Sequence, residues 1–162
     1  MRFYLDSSAW VKRYLTEEGS PEMDLVFEKA TLGPNRLVSS FWNVGECLGA
    51  FDKRKQRREL DGRRFSRTLQ NFFSETIDLA ERGGLTLAPV SAGVLLECWK
   101  TILDEHMYQA DALQLKTSQA ESCDFLLTAD EGIATVAEKM GLKAIPIEKS
   151  EGRMKLRELL EG

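Results

Sequence analysis

The chain has 162 residues, 43% of them hydrophobic and 30% charged, with a net charge of −4, which is enough apolar material for one domain with a real core. Its apolar runs are only a few residues long, which excludes a membrane-spanning helix, and no charged-then-apolar leader precedes the first strand pattern, so a cytoplasmic protein is expected. Three cysteines without CxxC spacing (Cys47, Cys98, Cys123) and one isolated histidine, His106, give no support to a disulfide framework, a zinc finger or a His-based nucleophile triad.

In chain order, Arg2–Leu5 is the first strand-like run, and it stops at Asp6. Ser20-Pro21 marks a helix start. Residues 37–39 form a second strand, followed at Ser39-Ser40 by N-cap residues and a helix over 41–55. Its apolar stripe is Phe41, Val44, Leu48 and Phe51, while Trp42, Glu46 and Gly49 share the other side, with Gly45 adjacent. Lys53 and Arg57 continue that second face. Two glycines inside a helix cost about 1 kcal/mol each relative to alanine, which predicts that a helix, a ligand or a nucleic-acid backbone comes close there.

Residues 53–67, KRKQRRELDGRRFSR, carry eight Lys/Arg against two acids, a local charge of +6 that leaves −10 on the remainder. Such a split predicts a cationic arm on an acidic body, an αα-hairpin turning around Asp61-Gly62. A second stripe follows in Phe65, Leu69, Phe72, Phe73 and Ile77. Leu85–Ala88 is a third strand, and Ser91 opens a helix through Val94, Leu95 and Cys98. Asp111 lies in YQADALQL with no lysine or arginine three or four residues away, so its carboxylate needs some other partner. Residues 124–128 form a fourth strand that delivers Asp130. Ile133, Val136 and Ala137 define the next helix, Gly141 suits its C-cap, and 143–146 form a fifth strand. Asp124 reads as a structural residue at a strand entry.

Strands alternating with helices imply βαβ units and a mostly parallel sheet covered on both faces, in one domain over 1–162. Ligands of such sheets bind beyond the carboxyl ends of the strands. Asp6 and Asp130 meet there if their strands are neighbours, and Glu46 and Asp111 are two more acids in settings that require explanation. Four converging carboxylates repel one another unless cations neutralise them, and oxygen donors select hard ions such as Mg²⁺ or Mn²⁺. With the cationic arm, that constellation suits phosphodiester hydrolysis. Each feature also has a plainer reading: Asp130 as a helix cap, Glu46 as a solvated helix residue, the basic run as a solvated face or partner surface.

At YLDSSAWVKRYLTEEGS, NVGECLGAF and YQADALQLKTSQAESCDFLLTADEGIATVAEKMGLKAI the sequence resembles PIN-domain proteins, and among them the VapC-type toxins of toxin–antitoxin pairs. The resemblance implies a three-layer α/β/α sandwich around a parallel sheet of about five strands, with Asp6, Glu46, Asp111 and Asp130 as a catalytic cluster binding Mg²⁺ or Mn²⁺. It further implies endonucleolytic cleavage of single-stranded RNA, a homodimer, and inhibition by a small antitoxin. Ser8 and Thr128 match the family's polar positions beside the acids, suited to orienting a carboxylate or a water. Trp42, Lys53, Arg57 and Arg58 are the candidates for contact with nucleic acid or a partner. The chain exceeds the compact family members mainly through the basic hairpin at about 52–70. Two alternatives keep the fold: a housekeeping nuclease of RNA processing, and an interaction module without catalysis.

Overall fold

A computed structural model describes residues 1–161. Five strands, β1 (Arg2–Leu5), β2 (Arg36–Ser40), β3 (Leu85–Ala88), β4 (Phe125–Thr128) and β5 (Ala144–Pro146), form one sheet in the order β3-β2-β1-β4-β5. All four pairings are parallel. The eight helices are α1 (Ser7–Trp10), α2 (Ser20–Leu32), α3 (Phe41–Gln56), α4 (Gly62–Glu81), α5 (Ala92–Glu105), α6 (Gln109–Ala120), α7 (Glu131–Lys139) and α8 (Ser150–Glu161), with a 3₁₀ turn at Val11–Arg13.

The strands are apolar on both sides because both sides are covered. Successive side chains point to opposite faces of a strand. Phe3, Leu5, Leu37, Leu85 and Leu127 enter one core with Trp10, Phe27, Phe51, Phe72 and Leu156, from α1, α2, α3, α4 and α8. Tyr4, Val38, Leu126 and Ala144 enter the other with Leu115 of α6 and Ile133, Val136 and Ala137 of α7. Helix α5 packs outside α6 through Cys98 against Ala112 and Leu113. The result is a three-layer α/β/α sandwich, as the alternation of strands and helices predicts.

Helix starts follow the expected chemistry. Ser40, Asp61 and Ser91 each accept a backbone N–H three residues on, capping α3, α4 and α5. Gly141 takes φ 77° just after α7, as a C-cap glycine should. Arg54, Arg63 and Arg64 belong to the hairpin of α3 and α4, whose connection runs over 57–61.

Two apolar stripes differ from expectation. Phe41 is 60% exposed, so only Val44, Leu48 and Phe51 of its stripe contact the core. On α4, Phe73 and Ile77 face outward while Thr68, Phe72, Thr76 and Leu79 are buried. Phe65, Leu69 and Phe72 of the expected stripe do pack on the core, and the seating of Phe72 against Trp10, Tyr14 and Phe51 turns Phe73 and Ile77 outward. All three cysteines are free thiols; Cys47 and Cys98 are buried, whereas Cys123 is only half-buried beside Arg2. No helix among the described residues is long and apolar enough to cross a membrane.

Candidate functional site

Strand β1 has β2 on one side and β4 on the other, so the chain's crossovers run in opposite directions from it. A crevice opens at such a switch point, outside the carboxyl ends of the strands. Asp6 directly follows β1, and Asp130 stands two residues beyond β4. Their strands pair in register, Leu5 opposite Leu127, and the Asp6 N–H donates to the Leu127 carbonyl at 3.1 Å.

Two hydroxyls tie these strand ends together. Ser8 Oγ donates to Asp6 Oδ2 at 2.5 Å, and Thr128 Oγ1 donates to the same oxygen at 2.7 Å. Each hydroxyl in turn accepts a backbone N–H, Ser8 from Ala129 at 2.8 Å and Thr128 from Asp130 at 3.0 Å. Asp6 is 2% exposed. Burial pushes its carboxyl pKa up, against the lowering effect of the Ser8 and Thr128 hydrogen bonds.

The other acids arrive on helices. Asp111 lies in the first turn of α6, and Asp130 is the N-cap of α7, its Oδ1 accepting the Ile133 N–H at 3.0 Å. Asp6 occupies the N-cap position of α1 without making a cap bond. Three helix N-termini thus carry acids, where the helix dipole favours negative charge. Glu46, on α3, accepts from the side-chain amide of Gln114 at 2.8 Å. The Asp111 carboxyl is pushed up to about 6 by desolvation, then by the charges of Asp130, Asp6 and Glu46. All four acids are therefore near enough to act electrostatically on one of their number, and none takes part in a salt bridge among the described residues.

The side chains do not form a closed cage as they stand. Among the described residues no group of three or more His, Cys, Asp or Glu is arranged to hold a metal ion. The hydrogen bonds account for this: Asp6 turns to two hydroxyls, Glu46 to Gln114 and Asp130 to its own helix, the arrangement expected of repelling carboxylates. The donor set, carboxylate oxygens without a balancing lysine or arginine, fits a hard divalent cation.

Trp42 is 50% exposed on α3, and Gly45 and Gly49 are bare, with nothing of this chain within 4 Å of where a Cβ would sit. Lys53, Arg57 and Arg58 are exposed, whereas Arg54 is engaged with Glu17 and Glu59. Asp124 accepts the Arg2 N–H at 2.7 Å at the entry to β4, remote from the rim. Gln114 and Asn43 escaped the sequence reading. The one available signal was a polar residue inside the apolar run ALQL, three positions after Asp111.

A stability measurement checks the crowding of the acids without reference to activity. Asp111 has its pKa raised from 3.8 to about 6 in the folded state. Its contribution to stability is fully present below pH about 4 and is lost as the pH rises through about 6. In EDTA, Asp111→Asn is expected to stabilise the protein at pH 7.5 by about 1 kcal/mol, after discounting for solvent screening, and to give no gain at pH 4. Urea unfolding at the two pH values measures this, and equal effects at both would show that the carboxylate is not crowded.

No protein-family model matches the chain, and no curated protein matches it in sequence. Comparison with solved structures shows likeness at the level of the fold, a PIN/VapC-like α/β/α sandwich. Among these neighbours, VapC20 of Mycobacterium tuberculosis, a sarcin–ricin-loop-cleaving toxin, superposes with a TM-score of 0.59 at 14% identity, over 83% of this chain and 94% of that one. PAE2754 of Pyrobaculum aerophilum superposes with a TM-score of 0.62 at 15% identity, over 97% and 98% of the two chains.

Proposed function

We propose that the protein is a divalent-metal-dependent endoribonuclease that hydrolyses phosphodiester bonds of single-stranded RNA, and that it is the toxin of a toxin–antitoxin pair. The observation that supports this reading most is geometric: Asp6 and Asp130 follow two neighbouring, paired strands at one end of the sheet. Neither they nor Glu46 and Asp111 have a salt-bridge partner among the described residues, in keeping with the upward shift of the Asp111 carboxyl by burial and by the other three acids. Asp6, Glu46, Asp111 and Asp130 would hold Mg²⁺ or Mn²⁺. When bound, the ion supplies Lewis acidity and makes water a stronger nucleophile.

The chain's own residues contribute orientation. Ser8 and Thr128 donate to Oδ2 of Asp6, while the Ser7 hydroxyl makes a longer 3.4 Å contact with Oδ1. Oδ1, the less engaged oxygen, would be the one Asp6 offers to an ion. In-line attack by water would leave a 5′-phosphate and a 3′-hydroxyl. Purified protein is expected to cut RNA with Mg²⁺ or Mn²⁺ and to be inactive in EDTA; full activity in EDTA would eliminate the reading. The sarcin–ricin-loop activity in the name of one structural neighbour supports the toxin role over a housekeeping nuclease. Growth arrest on expression, relieved by a neighbouring small gene, tests that choice.

The face of α3 that bears Glu46 supports a substrate path. From Glu46 to Arg57 is about 16 Å along the helix, with Gly49 bare between them and Trp42 exposed at the near end. Arg58, in the turn of the arm, has φ 61°, a conformation costing a non-glycine residue about 1–2 kcal/mol. A cation there at that cost supports a role in contact. The surface assigned to a protein partner, a second copy or an antitoxin, is the outer stripe of α5, where Leu96, Trp99 and Leu103 are 56%, 57% and 74% exposed. Charge reversal at Arg57 and Arg58 is expected to lower RNA affinity and flatten its salt dependence, while Trp99→Glu dissociates a dimer or antitoxin complex in sedimentation. The opposite assignment of the two results would exchange the surfaces.

A further inference from the structure

Behind the acids lies a buried polar network that the nuclease chemistry does not by itself require. Gln114, on α6, is 2% exposed, and Tyr4 and Asn43 are fully buried. The Gln114 side-chain NH₂ donates to Glu46 Oε2 at 2.8 Å, and its carbonyl oxygen accepts the Tyr4 hydroxyl at 2.9 Å. The Tyr4 oxygen in turn faces the NH₂ of Asn43 at 3.5 Å.

The two ends of this chain fix its sense, because the Leu5 carbonyl and the Glu46 carboxylate can only accept. The Leu5 carbonyl can only accept, and the Asn43 NH₂ reaches it at 2.8 Å, so that end of Asn43 is the donor. The Ser40 hydroxyl donates to the other end at 2.9 Å. The Tyr4 proton is then free to point to Gln114, whose carbonyl must face it. The NH₂ of Gln114 is left toward the carboxylate. Were the amide reversed, its carbonyl would oppose Glu46 Oε2, with no donor delivered to the acid.

We infer that Gln114 is a positioning residue: its amide, locked in one orientation by Tyr4, holds the Glu46 carboxylate at the acid rim. Tyr4 therefore acts on Glu46 through Gln114, from inside the sheet. Asp111 and Gln114 are three residues apart on α6, so one helix supplies an acid and holds another. The inference rests on the proposed metal site only for its consequence, since the held carboxylate exists in the metal-free protein.

The test uses Gln114→Met, which keeps length and loses the donor, Tyr4→Phe, which keeps the ring, and the double variant. Two readouts are taken: Mn²⁺ affinity by calorimetry, and the order of the Glu46 side chain by carbon relaxation in metal-free protein. Gln114→Met is expected to weaken Mn²⁺ binding about 10-fold, in the range found for partners of metal ligands, and to lower the Glu46 order parameter. Tyr4→Phe should produce a smaller loss in both readouts, and none when Gln114 is already methionine. A purely structural role would lower thermal stability in both backgrounds and leave the Glu46 order unchanged, which overturns the proposal. If the unmodified protein binds no Mn²⁺, the nuclease reading falls, and the Glu46 order parameter alone decides the role of Gln114. Should Gln114→Met fail to fold, Tyr4→Phe against Glu46→Gln decides it in the same way.

Discussion

Asp6→Asn and Asp111→Asn are each expected to lower metal-dependent RNA cleavage by about 10²–10³-fold or more, the loss typical of removing one charge-stabilising group from a preorganised site. Asp6 is buried and accepts two hydroxyl donors at one oxygen. Asparagine preserves its size and can still accept those bonds through its carbonyl, but it brings NH₂ in place of Oδ1. The loss should therefore appear in activity and Mn²⁺ binding while the circular dichroism spectrum is retained. Asp111→Asn makes a sharper case because two effects oppose: the variant gains stability at neutral pH in EDTA, for the reason given above, while losing cleavage. Retention of cleavage within a few-fold in both variants would show that the acids do not form the reactive centre.

Gly152→Ala is expected to destabilise the fold by about 3 kcal/mol, at the upper end of overpacking. A Cβ at Gly152 would lie 2.1 Å from the Pro146 carbonyl oxygen, a backbone atom that no rotamer change can move aside. Helix α8 is seated on β5 at this point and buries Leu156 and Leu160 in the first core. Arg153 donates to the Ile147 and Glu148 carbonyls, and Glu148 pairs with the buried Lys12, so displacing α8 disturbs the 3₁₀ turn as well. Gly49→Ala supplies the contrast. Nothing lies within 4 Å of its added methyl, so the substitution is expected to stabilise by up to about 1 kcal/mol. Thermal unfolding of both proteins measures the two signs, and destabilisation by Gly49→Ala would show a close approach on α3 from within the fold.

That contrast also shows what could be read from the chain. Glycines 45, 49 and 152 each lie inside a helix of the structure, the last in α8, for which the sequence reading gave no element. Only Gly152 is required by a neighbour of this same chain; the other two face outward. The first and fourth strands announced themselves as RFYL and FLLT, since a strand covered on both faces must be apolar throughout. Asp6 and Asp130 were legible with them as acids just past apolar runs, although Asp6 stays buried, held by the Ser8 and Thr128 hydroxyls. Glu46 and Asp111 drew attention only by their odd settings, a glycine-flanked helix face and an apolar run without a basic partner, and their convergence with the other two was not fixed by any local pattern.

Local sequence determined the five strands, most of the helices between them with several caps, the acidic ends of two strands and the concentration of positive charge between residues 53 and 67, whereas α8 was read only in the structure. Periodicity and capping act over a few residues, and the chain carries those signals in full. Tertiary structure decided that Phe72 and not Phe73 enters the core, that four acids from four elements sense one another, and that Gln114 reaches Glu46 across 68 positions of chain. Each of these depends on which surfaces meet when the helices close over the sheet, and such distances are created only by packing.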